Sequence, residues 1–146
     1  MKKSFRGLMA DGDQQIIRLS TNDGLTGYKV HAFRGIPKNV GTVSCEGIFQ
    51  IFTTERSTVP TSAATVDFTD PTLLGVCVCR TTTDVGTYGS DDFVIFDNVK
   101  FNQDIFITYT DNQDSNPSNY YIELEQVKLS KDEATVATLK DMRGRE

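Results

Sequence analysis

Apolar and polar residues alternate with period two through most of the chain up to residue 129, and turn-forming Gly, Pro, Asn and Asp interrupt the pattern at short intervals. Successive side chains of a β-strand point to opposite faces, so this pattern describes short strands that bury one side. Residues 14–20 (QQIIRLS) read as a first strand, closed by the turn formers of 21–24. In a second strand Tyr28, Val30, Ala32 and Arg34 alternate against Lys29, His31 and Phe33, and the PKNVG stretch at 37–41 ends it. Residues 42–54 are long for one strand, and Gly47 suggests a bulge or bend there. A short strand is expected at 66–68. The run at 73–80 is apolar enough for a strand buried on both faces. Residues 93–97, 104–110 and 120–129 complete the set, and the polar stretches 55–64, 81–90 and 111–119 are loops.

Only the last segment departs from this period. Ser130 and Glu133 stand at capping-box spacing, where each side chain satisfies a backbone N–H of the first helical turn. Ala134, Val136, Ala137 and Leu139 follow at helical spacing, and Lys140 and Arg143 suit the negative end of a helix dipole. The expectation is one all-β domain over 1–146, an antiparallel, jelly-roll-like β-sandwich with a short C-terminal α-helix at 131–143. A chain of 146 residues suits a single core. Residues 1–12, ahead of the first expected strand, read as an N-terminal arm.

Charge narrows the partners. The net charge is −5, and residues 81–119 carry seven aspartates against Lys100 alone. An acidic middle section repels phosphate backbones, so nucleic acid is not expected as a partner. No run approaches the roughly 18 apolar residues of a membrane helix, so no membrane partner is expected, and the start MKKSFRGLMADGD lacks the apolar stretch of a secretory signal.

The residues offer little material for catalysis. Cys45, Cys77 and Cys79 are an odd number, and the 77/79 spacing puts two thiols on one strand face, too far apart for an easy bridge. They read as small reduced hydrophobes. Zinc needs more partners than the sole histidine, His31, provides, and a nucleophilic pair of His31 with Cys45 has no local signature. No phosphate-binding loop, nucleophile elbow or HExxH helix occurs. Asp91, Asp92, Asp97, Asp111 and Asp114 crowd the loops, yet DNQDSN lacks the glycine and distal glutamate of a calcium loop. Aspartates in turns usually serve their own backbone. No metal, cofactor or catalytic residue is expected, and the many Phe and Tyr read as core.

Three segments carry a family resemblance: IRLSTNDGLTGYKVHAF at 17–33, VDFTDPTLLGV at 66–76, and FNQDIFITYTDNQDSNPSNYYIELEQVKLSKDEATVATLKDMR at 101–143. Together they resemble small virion structural proteins of tailed phages that infect marine and aquatic bacteria, cyanophages included. The resemblance implies a non-enzymatic β-sandwich component of the virion, made in the host cytoplasm. The favoured role is a capsid decoration (cement) protein that binds the major capsid protein and stabilises the head. The alternatives are a neck or tail component, or a carbohydrate- or receptor-binding module on an appendage. Lys2, Lys3, Phe5 and Arg6 precede the first expected strand and read as free to reach a neighbouring virion protein. Phe5 would be the apolar anchor and the basic groups would meet acidic surface. Arg143 and Arg145 read as contacts at the other end. Isolated arm contacts are weak, so a homo-oligomer, a trimer, is expected.

Overall fold

The computed structural model describes residues 1–21, 24–82, 92–96 and 99–144, with 92 and 141–144 as backbone alone. Most of the expected 81–90 loop, Asp91, Asp97 and Arg145 lie outside the described residues. The chain runs β1 (Lys2–Met9), β2 (Gln14–Ile17), β3 (Thr26–Pro37), β4 (Cys45–Phe52), β5 (Leu73–Thr81), β6 (Asp92–Ile95), β7 (Ile105–Asp111), β8 (Ser118–Lys128) and α1 (Lys131–Gly144). Two antiparallel sheets form, one ordered β1-β8-β3 and the other β2-β7-β4-β5-β6. Pairing first with last, second with seventh and fourth with fifth is what a long hairpin does when it rolls up into a jelly roll. β6 departs from that scheme by pairing with β5 at the end of the larger sheet. The expected all-β sandwich with one terminal helix is the observed architecture.

The main core lies between the sheets. Val30, Phe33, Ile122 and Leu124 of the smaller sheet meet Phe49, Ile51, Leu74, Ile105, Ile107 and Tyr109 of the larger. Phe49 is its hub, 4.5 Å from the Tyr109 ring, 6.0 Å from Tyr120 and 6.2 Å from Phe33 between centroids. Cys77 and Cys79 share this inner face, as their spacing requires, and all three cysteines are free and buried. A second apolar patch of Ile48, Phe52, Leu73 and Val76 lies on the outer face of the larger sheet. The irregular 53–72 segment crosses that face. The helix is capped as its sequence demands: the Glu133 N–H donates to Ser130 Oγ at 3.2 Å and the Ser130 N–H to Glu133 Oε1 at 3.4 Å.

Four expectations need correction. Residues 2–9 are not an arm: they form β1, paired with β8 from Lys2↔Glu125 to Met9↔Ser118. Three cations in eight residues hide the strand pattern, and β8 supplies the pairing that local sequence does not advertise. In β3 the alternation does not run straight through. The register slips between Val30 and Ala32, which leaves His31 as an exposed bulge residue and returns Phe33 to the same buried face as Val30. Residues 66–68 form no strand; they sit in the 53–72 segment, whose turns are held by Asp67 and Asp70. Gly47 marks no bulge either, because its pairing to Cys79 and Asp111 is regular and the β4/β5 slip falls between Ile51 and Phe52. Gly47 is needed for another reason: a Cβ there would lie 2.6 Å from the Tyr109 ring.

Gly47→Ala therefore forces Tyr109 out of its place against Phe49. The expected cost is about 1–3 kcal/mol of stability, the usual range for overpacking. Urea unfolding checks it, and a variant as stable as the parent would show that the ring has room to move.

Candidate interaction surface

The outer face of the β1-β8-β3 sheet is built in four cross-strand rows. Register aligns Lys2–Glu125–Lys29, then Ser4–Glu123–Ala32, then Arg6–Tyr121–Arg34, then Leu8–Asn119–Ile36. The first two rows are largely self-satisfied. Lys2 Nζ lies 3.5 Å from Glu123 and 3.0 Å from His31 Nε2, and Lys29 lies 3.6 Å from Glu125. Such exposed pairs add little stability, but they neutralise both glutamates.

The third row is different. Neither Arg6 nor Arg34 has an ion-pair partner among the described residues. Arg34 stacks its guanidinium 3.7 Å over the exposed Phe93 ring of β6, which orders the side chain. Strand spacing sets the two arginine backbones about 10 Å apart, with Tyr121 between them. Leu8 and Ile36 beside this row are 44% and 58% exposed, and Tyr121 is 40% exposed. Two arginines, a tyrosine and two exposed aliphatic side chains on one sheet face suit a protein–protein contact. β1 is also an edge strand.

Strand alternation splits the expected N-terminal contact residues. Lys2 and Arg6 stand on the outer face. Phe5 is not a free anchor, because it points inward opposite Ile122 and packs against the core. Lys3 bends back to the Tyr28 hydroxyl at 3.4 Å and over its ring. Arg143 lies in the last turn of α1, and Arg145 lies outside the described residues. Tyr121, Arg34, Leu8 and Ile36 were missed because nothing in the sequence says which strands share a face. Only the register to β8 aligns them.

The aspartate-rich turn serves its own backbone. Asp111 is fully buried and accepts N–H groups of Glu46, Gln113 and Asn116 at 3.0, 2.9 and 2.6 Å. Its own N–H donates to Asp11 at 2.8 Å. Beside it the Tyr109 hydroxyl donates to Asn116 O at 2.7 Å and contacts Ser118 and Cys45. Burial pushes the Cys45 thiol up, outweighing its bonds to Tyr109 and Ser118, and burial likewise raises the Tyr109 hydroxyl. Neither group is poised as a nucleophile. His31 sits beside Lys2 on the exposed face and Cys45 is buried, so the structure does not bring the two together. Among the described residues no three His, Cys, Asp or Glu side chains gather to hold a metal. No described helix is long and apolar enough to cross a membrane. Set against known protein families, curated proteins and solved structures, the chain matches none.

The strand assignment changes what truncation does. Deleting residues 1–6 removes most of β1 and uncovers the edge of β8, so a clear drop in melting temperature is expected. Arg6→Glu keeps the strand and, as a surface change, stays within about 0.5 kcal/mol of the parent. Thermal unfolding of both variants checks the pair. A truncated protein as stable as the parent would restore the free-arm reading.

Proposed function

We propose that the protein is a non-enzymatic structural component of a tailed-phage virion, bound to other virion proteins through the outer face of its β1-β8-β3 sheet. Within that class it is a decoration protein seated on the major capsid protein and reinforcing the head. The resemblance of residues 17–33, 66–76 and 101–143 to small virion proteins supports the setting. The observation that carries the mode of action is the Arg6–Tyr121–Arg34 row, flanked by exposed Leu8 and Ile36. The fold itself is no argument for one role, since jelly rolls serve capsids, lectins and cupins alike.

Each protomer presents a small patch, so firm attachment needs many copies or a symmetric oligomer. A trimer of this chain supplies three equivalent faces, and linked contacts gain avidity without any new contact. Two arginines with no ion-pair partner among the described residues favour an acidic counter-surface, and the attraction weakens as salt rises.

The test is made on particles. Mass spectrometry of purified virions is expected to find the protein in a fixed ratio to the major capsid protein. On particles lacking it, the Arg6→Glu/Arg34→Glu double variant is expected to rebind at least about tenfold more weakly, close to the cost of one good interfacial charge contact. Absence from purified particles would overturn the setting; unchanged rebinding by the double variant would overturn the face.

A further inference from the structure

We propose that the open edge of β1 binds an extended acidic segment of a partner protein, which adds to the β1-β8-β3 sheet as a fourth strand. The surface is the edge of that sheet rather than its outer face, and the proposal holds whether or not the protein belongs to a virion.

Hydrogen-bond parity fixes which backbone groups the edge offers. The Gln126 N–H donates to Met1 O at 2.8 Å, one step beyond the Lys2↔Glu125 pair. Antiparallel strands exchange bonds at every second residue, so Lys3, Phe5, Gly7 and Met9 turn their N–H and C=O groups toward β8. Lys2, Ser4, Arg6 and Leu8 turn theirs outward. The Gln15 side chain agrees with this parity, because it donates to Leu8 O at 3.4 Å from the open side. The outward N–H and C=O groups of Lys2, Ser4 and Arg6 have no partner among the described residues, and all three residues are exposed.

The strand has none of the usual devices that blunt an edge. It runs eight residues with no register shift and no proline. β3, the opposite edge of the sheet, is covered instead: Tyr28 exchanges two backbone bonds with Phe101 at 2.8 and 2.9 Å, and Arg34 lies over Phe93. What guards β1 is charge. Two copies paired edge to edge would bring Lys2, Lys3 and Arg6 of each to one seam, and like charges across a ladder repel. An acidic strand is attracted by the same three side chains.

Alternation then describes the occupant. In antiparallel pairing, residues opposite Lys2, Ser4 and Arg6 share the outer face with them. Carboxylates at every second position therefore meet Arg6, which has no ion-pair partner among the described residues, and Lys2 beside it. The intervening residues point inward next to Phe5 and Gly7, both partly buried, where aliphatic side chains extend the core. Main-chain bonds supply affinity in this mode and the alternate side chains supply specificity.

The experiment is an NMR titration of the intact protein with a blocked octapeptide of alternating glutamate and valine. The amides of Lys2, Ser4, Arg6 and Leu8 are expected to shift saturably and to exchange more slowly, with Kd of about 1 mM or tighter. A peptide N-methylated on its glutamates, whose N–H groups face β1, should bind at least about tenfold more weakly, whereas methylation on the valines leaves binding intact. Lysine in place of glutamate should weaken binding as much. On the protein, Ser4→Pro removes an outward N–H and no bond to β8, so the spectrum should stay native while affinity falls at least about tenfold. Should that variant unfold, the methylated peptides make the same test on the parent protein. Absence of saturable shifts would overturn the proposal. Equal binding of the glutamate-methylated peptide would overturn the edge, and equal binding of the lysine peptide would overturn the acidic occupant. Concentration-dependent protection of the same amides without peptide would overturn it in favour of a second copy.

Discussion

The pairing of β8 with β1 on one side and β3 on the other is the constraint from which the rest of the molecule follows. β8 is the central strand of its sheet, and its residues alternate cleanly: Tyr120, Ile122 and Leu124 are buried, while Tyr121, Glu123 and Glu125 lie outward. A slip of one residue would turn both sets over, placing three carboxylate or phenol groups against Phe49. The register therefore fixes the core and the outer face together. The Arg6–Tyr121–Arg34 row exists only because both neighbours align to the same β8 residue.

Much of this was legible before the structure. The strand-rich class, the two-sided burial of 73–80, the self-serving Asp111 turn and the Ser130–Glu133 cap are all local signals, and local signals survive in a sequence. The β1 strand was not legible because KKSFRGLM carries three cations and one glycine, and its strand character comes from its partner. The β3 bulge was not legible because nothing around His31 marks an extra residue. The slip is set by packing, which needs both Val30 and Phe33 in the core. The expected contact residues were accordingly half placed: Lys2 and Arg6 reach the outer face, while Phe5 is spent on the core.

The two ends of the sandwich use polarity differently. At the Asp111 turn, a buried carboxylate gathers three backbone N–H groups and the neighbouring Tyr109 hydroxyl ties the next strand to Asn116, so the network is closed. Closed buried networks stiffen a structure and define it. Across the outer face of the larger sheet, polar tethers hold the 53–72 segment but leave Arg56 Nε unmet and a cavity beneath. The first arrangement is architecture. The second leaves one donor unmet and a recess beside it.

A contact face that includes Arg6 requires residues 2–9 to be a strand of the sandwich rather than a tail. Amide hydrogen exchange on the free protein measures this most directly. Those β1 amides that point toward β8 should be protected well above unfolded-chain rates, in step with the adjoining part of β8, whereas those on the open edge should exchange fast. If every amide from Lys3 to Met9 exchanges at the unfolded rate while β3 and β8 stay protected, β1 is an arm after all, and the Arg6–Tyr121–Arg34 row loses one of its three members.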